Sequence, residues 1–283
     1  MPSPRSHLNR AQLKAKKELG QNFLEDPSTS EMILTRAGVA AHHTLIEIGP
    51  GLGAMTLPAA RMANALIAIE KDRDLIPVLE GIVRDAQLTN VSILNRDILH
   101  TDLTSCYPDN ADDIMVIGNL PYNISTQVLI RLLTQRHRVS SCVFMFQKEL
   151  ARRIAALPGS GDYSRLSVMT QYCATVKRIA EVKAHLFFPR PKVDSTVIQI
   201  LFHPVLPCPA HDEVLLGQVV QAAFNKRRKT LKNALSNSDL AQSASTVEAA
   251  LESAQIDPVR RAETLSVSEF VRLANHLHAL RTV

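Results

Sequence analysis

The stretch Thr44-Leu45-Ile46-Glu47-Ile48-Gly49-Pro50-Gly51-Leu52-Gly53-Ala54 decides the fold. Leu45–Gly49 reads as a buried strand, apolar on both faces. The glycines after it let the backbone turn sharply into a helix and come close to a ligand. Strand, glycine turn and helix together open a parallel βαβ unit. Outward from there, Ala65–Lys71, Val91–Asp97 and Ile114–Leu120 repeat the apolar run, with helical patterns at Thr56–Ala63 and Leu75–Gln87 between them. More strands are predicted at Cys142–Gln147, Glu181–Phe187 and Thr196–Phe202, and helices at Thr126–Leu133, Lys148–Ala156 and Arg165–Thr175. Only Phe188-Pro189-Arg190-Pro191-Lys192 falls between the last two strands, so an antiparallel pair is expected to end the sheet.

The glycine loop alone does not name its ligand. With Ala54 it fits the dinucleotide pattern G-x-G-x-x-[GA], and Glu70, 21 positions after Gly49, stands where a carboxylate accepts ribose hydroxyls. A dinucleotide and an adenosyl group would both use it. Asp97 ends the third strand, where a carboxylate could hold an exocyclic adenine amine. Asn119-Leu120-Pro121-Tyr122, after the fourth strand, separates the two readings. A nicotinamide dehydrogenase has no evident use for this tetrapeptide, whereas an enzyme alkylating an exocyclic amine does. The N6 lone pair of adenine is delocalised and weakly nucleophilic. The Asn119 side-chain oxygen and the Leu120 carbonyl can accept the two N6–H bonds and stabilise the charge that develops on attack. Pro121 stiffens the loop, and Tyr122 can stack on a base taken out of its helix.

The 283 residues are 46% hydrophobic and 21% charged, which fits an ordinary globular chain and excludes a disordered one. Apolar runs such as Val143–Phe146 are strand-sized, and the basic residues spread through the start leave no signal-peptide core, so a cytoplasmic protein off the membrane is expected. Cys106, Cys142, Cys173 and Cys208 are too scattered for a zinc ribbon or a disulfide scaffold; reduced thiols and no metal are expected. The net charge of +5 is uneven: residues 1–19 carry +4 and residues 224–232 carry +5. Two basic patches on a near-neutral body suit a polyanion. Lys226, Arg227, Arg228, Lys229 and Lys232 are predicted on a helix over Asn225–Leu235, anchored by Leu231 and Leu235, as the RNA-binding face.

Three prolines in Pro204-Val205-Leu206-Pro207-Cys208-Pro209 mark a linker, beyond which the pattern is only helical. Ser245 with Glu248 and Ser266 with Glu269 read as capping boxes, and Phe270, Leu273, Leu277 and Leu280 share a helix face. The expected organisation is a basic tail over 1–18, an α/β domain over 19–208 and an all-helical RNA-binding domain over 209–283.

In these motifs the sequence resembles the ribosomal RNA adenine N6-dimethyltransferases, and most nearly those of the bacterial small subunit. Leu19-Gly20-Gln21-Asn22-Phe23-Leu24, Glu47 through Gly53, Asn119 through Tyr122, Tyr163 through Val168 and Phe187-x-Pro189-x-Pro191-x-Val193-x-Ser195 each match a family segment. The resemblance implies a Rossmann-like seven-stranded methyltransferase sheet with a smaller helical C-terminal domain, and S-adenosylmethionine as donor. It implies donor contacts from Asn22, Leu24, Gly49, Glu70, Asp97 and Asn119, to which the glycine loop adds Gly51. It also implies that Phe187 packs against the target base, beside the catalytic Asn119, Leu120, Pro121 and Tyr122. The implied substrate is two adjacent adenosines near the 3′ end of small-subunit rRNA, each methylated twice at N6, with the small ribosomal subunit as partner and the enzyme a monomer. A large-subunit rRNA methyltransferase of the antibiotic-resistance type, a non-catalytic assembly factor on the same fold and a DNA adenine methyltransferase are the alternatives. The proline-punctuated linker and the basic segment weigh against the first, and the intact Asn119–Tyr122 against the second. Leu at position 120, where many DNA enzymes have Pro, weighs against the third.

Overall fold

Apolar residues on both faces let a strand sit inside a sheet covered on both sides, and Thr44–Ile48 is buried at all five positions. The computed structural model describes residues 3–106, 113–226, 228–238, 240 and 243–281. In chain order the first half holds α1 (Pro4–Arg10), β1 (Phe23–Leu24), α2 (Pro27–Arg36), β2 (Thr44–Ile48), α3 (Thr56–Met62), β3 (Ala65–Glu70), α4 (Ile76–Asp85), β4 (Val91–Asn95) and β5 (Ile114–Asn119). There follow α5 (Ser125–Thr134), β6 (Ser141–Gln147), α6 (Lys148–Ile154), α7 (Arg165–Cys173), β7 (Ala174–Val182), β8 (Phe187–Phe188) and β9 (Ser195–Phe202). The helices α8 (Glu213–Phe224), α9 (Leu231–Ser236), α10 (Ala244–Ser253) and α11 (Val267–Arg281) complete the chain.

Seven strands form one sheet in the order β4-β3-β2-β5-β6-β9-β7. β2 pairs in parallel with β3 on one side and β5 on the other, and β9 runs antiparallel to β6. The predicted seven-stranded sheet with an antiparallel end is therefore present. Its order reverses at β2 and β5, and in open α/β sheets the loops leaving the carboxyl ends of two such strands diverge and leave a crevice. The two strands must approach closely there. A Cβ on Gly118 would lie 2.6 Å from the Ile48 carbonyl oxygen, so only glycine fits.

The chain divides into two compact units, one of residues 1–151 with 176–204 and one of 152–175 with 205–283. The sequence boundary near 209 differs from this division because residues 152–175 go with the C-terminal helices. Within that unit the Tyr172 hydroxyl accepts from the Ala210 amide and donates to Glu213, tying α7 to the start of α8. In the first unit, residues 1–18 are more than a tail. Leu8 is buried with Phe23, Leu52 and Leu75, and Lys16 Nζ reaches Asp72 at 2.5 Å and Asp74 at 2.7 Å.

Three local expectations change. β7 begins at Ala174, inside the predicted helix end, and occupies the sheet edge with Lys177 and Arg178 exposed. α10 is capped by Ser243, which accepts from the Thr246 amide, rather than by Ser245 with Glu248. Where the basic helix is predicted, Lys226, Arg228 and Lys229 are turn and bend residues, and Thr230, whose hydroxyl caps α9, starts the helix that carries Lys232; Arg227 lies outside the described residues. The Ser266–Glu269 capping box forms as expected, and Phe270, Leu273 and Leu277 are buried on one face while Leu280 is 46% exposed. No helix among the described residues is long and apolar enough to cross a membrane.

Candidate active site

Loops from the carboxyl ends of β2, β3, β4 and β5 border one cleft, closed on another side by residues 18–24. The glycine loop forms its floor. Gly49 adopts φ +70°, and a Cβ there would meet nothing within 4 Å, so the backbone faces open space. Opposite stands Glu70, 7% exposed, one carboxylate oxygen accepting from the Gly51 amide at 3.1 Å and the other from the Asp72 amide at 2.8 Å. These two bonds fix the carboxylate and leave a lone pair on each oxygen for a pair of adjacent hydroxyls. Burial pushes its pKa up, against the lowering effect of the two amides.

Asp97 borders the cleft from the end of β4, accepting from the Leu99 amide at 2.9 Å and pairing with Lys71 at 2.9 Å. Its burial works upward, but the Lys71 ammonium and the Leu99 amide hold it below the ordinary carboxylate value. It stays an anion, an acceptor for an exocyclic amine.

Asn119 ends β5. Its side-chain nitrogen donates to the Asn22 carbonyl at 2.9 Å, which commits the amide's donor end to the protein and leaves Oδ1 as the free acceptor. Asn22 in turn donates to the Gly20 carbonyl at 3.0 Å. Leu120 is 1% exposed, so only its backbone is offered to a substrate, and Pro121 and Tyr122 line the same cleft. The Tyr122 hydroxyl and Ser195 Oγ are 2.9 Å apart, and burial pushes the phenol pKa up, so the ring is held as a neutral tyrosine. Ser195 closes the Phe187-x-Pro189-x-Pro191-x-Val193-x-Ser195 motif.

Of the predicted residues, Asn22, Leu24, Gly49, Gly51, Glu70, Asp97, Asn119, Leu120, Pro121 and Tyr122 all border this cleft. Phe187 does not. It is 3% exposed and packs with Leu24, Val182 and Val197 in the core, while its neighbour Phe188 lies partly open with the Arg5 guanidinium 4.7 Å from its ring centre. β1 and β8 bring these segments together, pairing Phe23 with Phe188 and Leu24 with Phe187. Among the basic residues, Lys226, Arg228 and Lys229 lie in the turn before α9, Lys232 is paired with Glu248, and Arg227 lies outside the described residues.

Sequence reasoning missed Gly118 and the Lys16–Gln21–Asp72 cluster behind the cleft, where Gln21 Nε2 donates to Asp72 at 2.7 Å. Glu47, in β2 ahead of the glycine loop, is a further residue of the cleft. It is 2% exposed, accepts from the Thr56 hydroxyl at 2.6 Å, and is pushed by burial up to about 8.

A hydroxyl-pair acceptor, an amine acceptor and open glycine backbone at a strand-order reversal fit an adenosyl donor on this chain's own residues. The comparisons with known proteins point the same way. The chain matches the ribosomal RNA adenine dimethylase family over residues 12–279. It is 50% identical to the ribosomal RNA small subunit methyltransferase A of Desulforapulum autotrophicum, over 99% of this chain and 98% of that one. To the protein of that name from Chromohalobacter salexigens it is 44% identical, over 93% and 91%. Among solved structures, a dimethyladenosine transferase from Plasmodium falciparum shares the fold at a TM-score of 0.77, with 23% identity over 89% of this chain and 95% of that one. A 23S rRNA methyltransferase, ErmE, shares it at 0.69, with 24% identity over 90% and 99%. The chain thus belongs to the ribosomal RNA adenine dimethylase family, whose members use S-adenosylmethionine.

Proposed function

We propose that this chain methylates N6 of two adjacent adenosines near the 3′ end of small-subunit rRNA, twice each, acting as a monomer on the small ribosomal subunit in the cytoplasm. The observation that carries the reading is Asn119, whose amide nitrogen is occupied by the Asn22 carbonyl while its oxygen stays available beside the Leu120 carbonyl. Two acceptors at the end of one strand suit an amine with two N–H bonds. The names of the curated relatives favour the small subunit over the large.

Glu70 would hold the donor's ribose hydroxyls and Asp97 its adenine amine, while Asn22, Leu24, Gly49 and Gly51 offer backbone and side-chain contacts around them. When bound, S-adenosylmethionine supplies a methyl group on a sulfonium, already activated for transfer. The chain's own part is to position and polarise. Asn119 Oδ1 and the Leu120 carbonyl orient N6 and draw on its protons, so that its lone pair points away from the ring. Tyr122, fixed through Ser195, offers a flat face on which the extruded base stacks, worth roughly 1–3 kcal/mol. Phe187, in the core beside Leu24, would hold the donor-side segment in place through the β1–β8 pairing. No general base is needed before attack, because the amine loses its proton only once the new bond has formed. A base already methylated once retains one N6–H, so the second transfer leans more on stacking and less on the paired acceptors.

Lys226, Arg228 and Lys229, with Arg227 from the sequence, would grip rRNA phosphates from the turn before α9. Lys232 contributes less, since Glu248 already neutralises it.

Naked rRNA, small subunits and large subunits are offered to the enzyme with labelled donor, and the label is mapped. The expected result is N6,N6-dimethyladenosine at two neighbouring positions of small-subunit rRNA. Asn119→Ala should lower the rate on the order of 10²–10³-fold, the scale on which such a polar contact acts in a transition state, with subunit binding unchanged. Label on large subunits, or a wild-type rate from the variant, overturns the reading.

A further inference from the structure

The turn that carries Asp97 is gripped by the helix on which the Asn119–Tyr122 loop rests. After β4 the chain folds on itself. The Asp97 carboxylate accepts from the Leu99 amide at 2.9 Å, and the Asp97 carbonyl accepts from the His100 amide at 3.0 Å and the Thr101 hydroxyl at 2.7 Å. These bonds are internal, so they fix the shape of the turn but not its place. From outside, Lys71 pairs with Asp97, but its side chain is 56% exposed, and such surface pairs anchor weakly. The second hold comes from Arg131 of α5. One of its guanidinium nitrogens donates to the Leu99 carbonyl and the other to the Thr101 carbonyl at 2.7 Å.

The position of Arg131 ties two parts of the cleft together. α5 begins where the Asn119–Tyr122 loop ends: the Ser125 amide donates to the Pro121 carbonyl at 3.1 Å and the Ser125 hydroxyl to the Tyr122 carbonyl at 3.1 Å. Val128, Leu129, Leu132 and Leu133 are buried on its inner side, which fixes the helix in the fold. Arg131 stands six residues beyond Ser125, about 9 Å along the axis. Its planar fork of N–H donors meets two carbonyls at once, which the point charge of a lysine does only in part. Among the described residues, Arg131 is not one that borders the cleft, whereas Asp97, Ile98 and Leu99 are.

We propose, on the reading of Asp97 as acceptor of the donor's adenine amine, that Arg131 is a positioning residue for the methyl donor. Held by residues 99 and 101 to the helix behind the catalytic loop, the turn keeps the Asp97 carboxylate where it selects an exocyclic amine, in register with Asn119. Without Arg131 the turn retains its internal bonds but is placed by the weak Lys71 pair alone. Donor selectivity then falls, while RNA affinity does not.

The demethylated donor S-adenosylhomocysteine and its inosyl analogue, in which a carbonyl replaces the exocyclic amine, are titrated by calorimetry into the full chain and its variants. Arg131→Met, which keeps the apolar stem, should weaken the adenosyl compound about three- to thirtyfold, the scale of coupling through residues that touch no ligand. The inosyl compound should lose less, so the preference between the two narrows. Arg131→Lys should recover part of the loss, and it carries the same comparison if the methionine variant does not fold. The Michaelis constant for the donor should rise while that for RNA stays as in wild type. In an Asp97→Asn background, Arg131→Met should change adenosyl affinity by no more than about twofold, because the group it places is already gone. A wild-type preference in the Arg131 variants, with Asp97→Asn abolishing it, overturns the proposal and leaves the reading of Asp97 standing. Additive losses in the double variant overturn it as well, since Arg131 then acts on the fold at large. If Asp97→Asn keeps the wild-type preference, the reading of Asp97 falls and the proposal with it.

Discussion

Glu47 and Glu70 in the donor cleft are treated in the opposite way to Glu269 in the helical unit. In the cleft, burial pushes Glu47 up to about 8 against the Thr56 hydroxyl, and raises Glu70 despite its two backbone donors. In the helical unit, Glu269 also feels an upward push from burial, yet it falls to about 2. There the Arg260 guanidinium lies 2.5 Å away, and Ser266 donates from both its amide and its hydroxyl. Among the described residues, neither Glu47 nor Glu70 has a cation of the chain beside it. Glu269 is given its countercharge by the fold, whereas Glu70 is desolvated, oriented and left without one; Asp97, at the other side of the cleft, stands between them with Lys71 beside it.

Substituting each acid in turn can break that contrast. The largest effect is expected from Glu70→Ala, which should weaken S-adenosylmethionine binding by on the order of 1.5–3 kcal/mol, the worth of a hydrogen bond to a charged group. Its urea midpoint should stay near wild type; unchanged donor affinity by calorimetry would place Glu70 on the structural side of the comparison. Next comes Glu269→Gln, which should cost about 1–2 kcal/mol of stability through a weakened cap and lost ion pair, with donor affinity untouched. Because the folded state holds Glu269 below its ordinary value of 4.5, its stabilisation is complete above that pH and is lost as the pH falls toward 2. The gap between wild type and variant in denaturant melts should therefore close under acid; a constant gap would mean that the cap acts without its charge.

The third variant, Glu47→Gln, has an effect set by pH alone. A raised carboxyl keeps in the folded chain a proton that the unfolded chain releases, so its contribution to stability declines as pH rises from about 4.5 to about 8. The glutamine variant lacks that decline and should gain on wild type across this window. Parallel stability–pH curves would show that Glu47 ionises freely in the fold.

The core of the sheet was legible because β2, β3, β5 and β6 are apolar on both faces, a pattern carried by each strand alone. β7 was not, because an edge strand with Lys177 and Arg178 exposed loses the apolar continuity that marks its neighbours. The cleft-lining Gly49, Gly51, Glu70, Asp97 and Asn119 could be read since each ends a strand or sits in the loop after it. The clasp of Lys16 and Gln21 on Asp72 could not, as it joins residues more than 50 positions apart with no periodicity between them. The basic segment was read as helix because its composition allows one. Thr230 starts a new helix instead, a choice made by a single hydroxyl. Phe187 was assigned to the base from its motif, but burial is a property of the packed chain, and in the fold the more open ring is that of Phe188.

The two-residue ladder between β1 and β8 joins the segment that carries Asn22 and Leu24 to the segment that runs from Phe187 toward Ser195. One end of this splice borders the cleft at Asn22 and Leu24, and the other leads to Ser195 and so to the tyrosine on which the acceptor base would rest. Under the proposed function the two substrates would share a hinge-pin of four residues, Phe23, Leu24, Phe187 and Phe188. Loosening it should raise the apparent Michaelis constants for donor and for RNA together, in the same proportion. For anyone retuning such an enzyme toward a bulkier donor or a different base, this seam is the place where the two specificities cannot be adjusted one at a time.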